Sequence, residues 1–505
     1  LGIPFTSRRA AIAAPFVYCA LALALIAQGP GLHYDEALPA MPAVHLARAS
    51  GPPTYPHDPG TWLCARDRCM PLMNLRYAGA VKDLLYLPVW AATGPSVEAF
   101  RLLGMLFGAI GVAGVAALAA KFAGWREAAT GALVLAIHPA YIQQTVFDSG
   151  LIAAWMLAFG LLGFAIAAYA SQADAHRAFF VGAACGFGIW CRANFLWLLI
   201  AVALAALGEI ARRRRHALPF VLGGLAGGFP FLLYQVISRG GTLEALSMYD
   251  AAGPFLENLK VRLVLLSETL LADREHRAMW GDASLPLWQS MPIAVLALSA
   301  LAVCFRRGAL GRIVALTTLA LTAILLVSRM AIGEHHLIVL VPLVALAAGI
   351  AVAPLRARVR VPALLAYGGL ALFWNGLTIL GLSDSQGKNH WSSASLTLAQ
   401  QLSRREEEIV FIDWGLHNQI YFLTRGSLRA REVFGDETRA ETGDLWTSFV
   451  QPGRLFVTNG RDHRVFPAPA EGVRAVLAER PNARRIGVPQ HDGRIYAEAL
   501  FDAGR

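Results

Sequence analysis

The sequence predicts a polytopic α-helical membrane protein carrying a small α/β domain at its C-terminal end, and three observations lead there. Of 505 residues, 56% are apolar and 15% charged, with a mean hydropathy of +0.49. Soluble chains average about 45–50% apolar and about 25% charged. The apolar residues form runs such as Ala10–Ala27, Gly150–Ala170 and Leu337–Ala353, the length a helix rising ~1.5 Å per residue needs to cross ~30 Å of hydrocarbon. From residue 382 the chain turns polar, with short periodic elements. A soluble multidomain protein, a disordered chain and a disulfide-framed secreted module are excluded.

The formal charge of +10 reads as a topology signal. Basic residues gather at Arg8-Arg9, from Lys121 to Arg126, at Arg212–Arg215, at Arg306-Arg307 with Arg312, and at Arg356, Arg358 and Arg360. Cytoplasmic loops concentrate Lys and Arg, so neighbouring basic segments should be separated by an even number of crossings. The resulting helices lie near 10–28, 101–120, 127–146, 150–170, 177–191, 195–209, 217–237, 286–304, 313–328, 336–354 and 362–381. That makes eleven crossings, with the N-terminus inside and the C-terminus outside. Loops 29–100 and 238–285 fall outside. Basic residues scattered over separate loop ends argue against a nucleic-acid partner and leave the bilayer as the surrounding phase.

Three elements need separate treatment. Val81–Ala92 is apolar but short, begins near Lys82-Asp83 and contains Pro88, so it is expected at or dipping into the outer interface. The 177–191 helix is shorter than the bilayer core, which puts Arg192 at membrane depth, facing protein or a watery cavity. Arg8-Arg9, the following apolar run and small residues near Ala27 resemble a signal peptide; the segment is read here as a retained first crossing.

The chain divides into a membrane part, 1–381, and an α/β domain, 382–505. In the latter, helices are expected at 391–407, 417–423 and 472–480, and strands at 409–413, 454–458 and 494–500. No GxGxxG or P-loop pattern occurs there, which disfavours a nucleotide-fuelled pump. Asp413 and Trp414 close a strand, where α/β folds commonly build sites, although a capping Asp and a buried Trp explain them equally. Cys64 and Cys69 stand five apart in an outer loop, a spacing that suits a disulfide in an oxidising compartment. Cys19, Cys185, Cys191 and Cys304 read as small apolar core residues.

The expected crossings hold almost no Asp, Glu or Lys. Polar residues collect at their outer ends: His33, Tyr34, Asp35 and Glu36; Asp148; Arg192 and Asn194; and Arg329, Glu334, His335 and His336. Transporters and channels place ionisable groups or broken helices near mid-depth, so this one-sided distribution favours chemistry at the outer face. Asp35-Glu36 reads either as a solvated helix end or as a general base with a supporting carboxylate.

Taken in order, Leu32-His-Tyr-Asp-Glu-Ala37, the segment from Met70 to Lys82, that from Gly94 to Leu103, that from Ile137-His-Pro to Asp148, and that from Gly333-Glu-His-His to Pro342 resemble the GT-C glycosyltransferases that use lipid-phosphate sugars. The similar branch contains the bacterial enzymes like protein O-mannosyltransferases and the aminoarabinose transferases of lipid A. The resemblance covers roughly residues 10–380 and rests on the ordered set, since no single segment is specific. It departs at Met70-Pro-Leu-Met-Asn-Leu-Arg-Tyr77, where the aminoarabinose enzymes have a Pro-rich stretch, and this leaves the donor sugar open.

The resemblance implies a GT-C fold whose long first outer loop carries interfacial helices, a polyprenyl-phosphate sugar donor, and an envelope glycan, lipid or protein acceptor. Asp35 would deprotonate the acceptor for an inverting transfer, and Glu36 would support that base or bind the acceptor. Asp148 would hold sugar or acceptor hydroxyls, or else cap the following helix. A leaving lipid phosphate gathers negative charge, which cationic donors stabilise; Lys82, Arg192, Arg329, His335 and His336 are the candidates, with the neutral Asn194 beside Arg192 as a further donor-binding candidate, against plainer readings as snorkelling or helix-end residues. Tyr34, Asp413 and Trp414 are candidates for acceptor contact. No cofactor is required and no metal cluster stands out, while a divalent cation is compatible. The expected location is a bacterial inner membrane, with the site and the C-terminal domain on the periplasmic side. Two alternatives stand beside this reading: a ligase or oligosaccharyltransferase using a lipid diphosphate-linked glycan, and a lipid or solute transporter.

Overall fold

A computed structural model describes residues 3–48, 61–66, 68–248, 253–271, 273–281, 297–328, 330, 332–433, 446 and 449–502. Among them six helices are long and apolar enough to cross a bilayer: Thr6–Ala27, Val97–Phe122, Ala153–Ser171, Gly308–Val327, Glu334–Val352 and Ala357–Ser385. A seventh candidate, Arg214–Gly227 with Phe229–Ile237, bends by 65°. This is a multi-pass helical membrane protein.

The other expected spans are divided differently. The 127–146 segment splits into Trp125–Ala136 and Pro139–Phe147, because Pro139 has no N–H with which to continue the ladder. Asn375 Nδ2 donates to the Ile137 carbonyl at 2.9 Å and so satisfies a group at the break, as a membrane interior demands. The next two segments form Ala175–Cys191 and the shorter Phe195–Ala205. Much of the expected 286–304 helix lies outside the described residues. Helices Val97–Phe122 and Ala153–Ser171 approach backbone to backbone: a Cβ on Gly114 would lie 2.5 Å from Gly160 Cα, so only glycine permits this contact.

The first loop supplies the short helices Tyr34–Ala37 and Met41–Arg48, then a hairpin of β1 (Trp62–Ala65) and β2 (Arg68–Pro71), the short pair β3 (Met73–Leu75) and β4 (Ala78–Gly79), and helix Val81–Thr93. Cys64 and Cys69 are cross-strand partners in the hairpin and are joined as a disulfide. The tempting 81–92 stretch is thus a separate helix, with Lys82 and Asp83 buried in its first turn.

The last long helix runs past 381 to Ser385 before the C-terminal domain begins. That domain is a five-stranded mixed sheet made of β5 (Glu408–Phe411), β6 (Ala430–Glu432), β7 (Arg454–Asn459), β8 (Ala483–Pro489) and β9 (Ile495–Asp502), in the order β6-β5-β7-β9-β8. β5 is parallel to β6 and β7, and β9 is antiparallel to β7 and β8. Helices Ala394–Leu402 and Leu416–Leu423 pack on one face and helix Pro467–Ala478 on the other. The turn after β5 faces the first loop of the membrane part.

Candidate active site

The site begins where the first long helix gives way to a turn. His33 caps helix Tyr34–Ala37: its Nδ1 accepts from the Asp35 N–H at 3.2 Å, and its own N–H donates to Glu36 Oε2 at 3.4 Å. The cap sends two adjacent carboxylates into opposite settings. Glu36 is fully buried in a two-pronged ion pair with Arg101, 2.6 Å from Nε to Oε1 and 2.9 Å from Nη2 to Oε2. Arg101 also donates to the Pro30 and Gly31 carbonyls at 3.0 and 3.1 Å. With both oxygens engaged by Arg101, Glu36 is a latch for the turn that carries Asp35.

Asp35 is partly exposed, and among the described residues its carboxylate accepts no hydrogen bond. Burial pushes it up to about 7; the Arg192 charge opposes this, and the Asp148 and Glu334 charges add to it. A carboxylate poised near neutrality suits a general base.

Beside it lies a second buried pair, Lys82 Nζ to Asp148 Oδ2 at 2.8 Å, with the ammonium 3.8 Å from the centre of the Phe100 ring. Asp148 adopts a left-handed backbone, φ +50°, and its Oδ1 accepts from the Ala153 N–H at 2.7 Å. Helix capping and charge pairing therefore coincide in one carboxylate. Asp83, next to Lys82, accepts from Asn74 Nδ2 at 3.0 and 3.2 Å, and burial pushes it well above the usual carboxylate range.

Arg192 is buried at the end of helix Ala175–Cys191 and bridges to Ala78 of the first loop. Its Nη1 donates to the His335 carbonyl at 3.4 Å, and Nη2 lies 3.5 Å from His336 Nε2. Its charge acts on both Asp148 and Asp35. His336 Nδ1 accepts from the Gly333 N–H at 3.1 Å, and the His335 and His336 ring centres are 4.1 Å apart. Asn194 has its amide nitrogen and oxygen buried with no partner among the described residues. Arg329 lies outside the described residues. Arg101 and Asp83 went unrecognised in the sequence, although an Arg in the first turns of so apolar a helix needs a buried partner.

No family model matches the sequence, and neither does any curated protein. Among the solved structures that match, two do so over nearly the whole length. ArnT from Cupriavidus metallidurans in the apo state superposes with a TM-score of 0.64 at 14% identity, covering 96% of this chain and 97% of that one. The same protein bound to undecaprenyl phosphate gives 0.62 at the same identity and coverage. The chain has the fold of ArnT. At 14% identity the shared property is the fold, and the ArnT-like fold is what gathers side chains from positions 35, 82, 148, 192 and 336 around one region.

The C-terminal domain and the segment leading into it add neighbours to Tyr34. Its ring lies edge-on to His390 at 5.1 Å and to Trp414 at 6.5 Å between centres. Asp413, a candidate for acceptor contact, is fully buried and accepts from Asn459 Nδ2 and from the N–H groups of Trp414, Val465 and Phe466. The last two immediately precede helix Pro467–Ala478, so Asp413 holds the turn that leads into it. Among the described residues no three His, Cys, Asp or Glu side chains converge as a metal site.

Proposed function

We propose that this chain is an integral-membrane glycosyltransferase that moves a monosaccharide from a polyprenyl-phosphate donor to a hydroxyl of an extracytoplasmic glycan, lipid or protein. Asp35 carries the reading. It is a partly exposed carboxylate without a hydrogen-bond partner among the described residues, raised to about 7, beside Arg192 and the Lys82–Asp148 pair. The fold supports it, since ArnT has been solved bound to undecaprenyl phosphate. In this reading the protein sits in a bacterial inner membrane, with the site on the periplasmic side.

The donor phosphate lies against Arg192, Lys82 and His336, and a sugar hydroxyl satisfies the otherwise unpartnered Asn194 amide, which would cost free energy left bare. Asp35 accepts the proton of the acceptor O–H. The freed oxygen pair forms the bond to the anomeric carbon from the face opposite the phosphate. The carbon–oxygen bond to phosphate breaks, and the lipid phosphate leaves with the electron pair, its charge met by the cations. Asp148 holds Lys82 in place. No metal is assigned a step.

The test incubates purified protein with a panel of hexosyl and pentosyl polyprenyl phosphates and a bacterial envelope extract, and measures donor consumption. Wild type should consume one donor and Asp35→Asn none. Full turnover by Asp35→Asn would overturn the role of the base, and consumption of a lipid diphosphate-linked glycan alone would favour a ligase.

A further inference from the structure

The turn that carries Asp35 is held from two sides. On the membrane side Arg101 binds Glu36 and the carbonyls of Pro30 and Gly31. On the other side the contacts come from the C-terminal domain and the segment leading into it. Gln419, buried on helix Leu416–Leu423, donates Nε2 to the Leu32 carbonyl at 2.6 Å and to the His390 carbonyl at 3.1 Å. Its own Oε1 is fixed by the Tyr496 hydroxyl at 2.8 Å. The His33 ring stacks on Trp391 with centres 4.5 Å apart. Gly31 passes so close to Ser392 that a Cβ there would fall 2.0 Å from its carbonyl oxygen, and a Cβ on Gly415 would fall 2.4 Å from Tyr34 Cγ.

We infer that the C-terminal domain sets the position of Asp35, with Gln419 as the positioning residue that ties strand β9 and helix Leu416–Leu423 to the base-bearing turn. This rests on the reading of Asp35 as the base. A Gln amide suits such a tie because Tyr496, from the sheet, orients its oxygen, and its nitrogen is then aimed at Leu32 without freedom to turn away. Leu32 immediately precedes His33, whose ring receives the Asp35 N–H, so a displacement of the Leu32 carbonyl passes through the cap to the carboxylate. The domain's other expected role, direct acceptor contact by Asp413, is closed by that residue's four donors. The latch and the clamp meet on one short turn, and only the clamp belongs to the soluble domain.

Gln419→Leu removes the donor and the acceptor; Gln419→Glu keeps the size and the acceptor for Tyr496 but loses the N–H to Leu32. A 1 Å misplacement of a reacting group costs up to about a hundredfold, so both variants should lose about ten- to a hundredfold in kcat, with the donor KM unchanged. The acid limb of the pH–rate profile should also move down from about 7 as water reaches Asp35, with Arg192, Asp148 and Glu334 the charges that still face it. Wild-type kcat and pH profile in Gln419→Glu would overturn the inference. If wild type consumes no polyprenyl-phosphate sugar, the functional reading fails by itself. Hydrogen exchange then decides the clamp: amides 31–36 should lose protection in both variants while helix Val97–Phe122 keeps it, and unchanged protection of 31–36 would overturn it.

Discussion

Replacing Asp35 by Asn should stabilise the folded protein at alkaline pH while it abolishes transfer. The carboxyl titrates near 3.8 when unperturbed and at about 7 in the fold, where burial disfavours its charge. Below pH 3.8 both states hold the proton and the group costs nothing. Between 3.8 and 7 the folded state keeps a proton that the unfolded state has released, so stability falls as pH rises, and above 7 the loss is complete. About three pH units at ~1.36 kcal/mol each set a ceiling of ~4 kcal/mol. The side chain keeps some exposure, so solvent screens part of this and ~2 kcal/mol is the working figure. An amide of nearly the same shape carries no charge and recovers that amount. Thermal unfolding of the detergent-purified proteins measures it: the Asn variant should melt a few degrees above wild type near pH 8.5, a scale consistent with ~2 kcal/mol, and the gap should shrink by more than half near pH 5. A gap independent of pH, or a variant less stable than wild type at pH 8.5, would refute the desolvated-base argument even if transfer were lost.

Three further outcomes follow from the buried contacts. Arg101→Leu strands the Glu36 carboxylate and should cost about 3–5 kcal/mol, most of which Glu36→Leu/Arg101→Leu recovers; a double-mutant cycle on thermal stability reads the coupling, and additive losses would remove the latch. Lys82→Met should weaken donor binding about tenfold or more by deleting a charge-assisted phosphate contact, seen as a raised donor KM. Reducing the Cys64–Cys69 bond should destabilise the hairpin by about 2 kcal/mol through loop entropy and leave donor KM unchanged; hydrogen exchange in β1 and β2 reports the first effect, and kinetics the second.

The apolar segments were legible because burial in lipid needs no periodicity, only length. Their interruptions were not. Whether Pro139 ends a helix depends on whether another element can satisfy the freed carbonyl, and Asn375, on a helix far along the chain, does so. In the C-terminal domain β5, β7 and β9 could be anticipated from apolar runs that pack on both faces. β6 and β8 lie at the two edges of the sheet; Ala430-Arg-Glu432 and Ala483-Arg-Arg-Ile-Gly-Val-Pro489 carry little apolar pattern, since an edge strand is recruited by its neighbour's unpaired backbone and not by its own composition.

The candidate site was legible as a set of positions but not as a division of labour. Asp35 and Glu36 look equivalent in sequence, yet successive helical residues point about 100° apart, so the same turn sends Glu36 to Arg101 and leaves Asp35 partly exposed. That division makes the chemistry workable. Two free carboxylates side by side would raise each other and neither would ionise predictably. Burial pushes Glu36 up, and Arg101 opposes this by favouring the charged form while it fixes the side chain in place; burial and Arg192 are the two largest influences on the ionisation of Asp35. The buried pair contributes little as a stabiliser against an apolar alternative. Its value lies in neutralising one carboxylate so that its neighbour can titrate near neutral pH, and a chain in which Arg101 and Glu36 are both replaced by apolar residues should therefore fold but hold Asp35 less rigidly, lowering kcat while the melting temperature stays close to wild type.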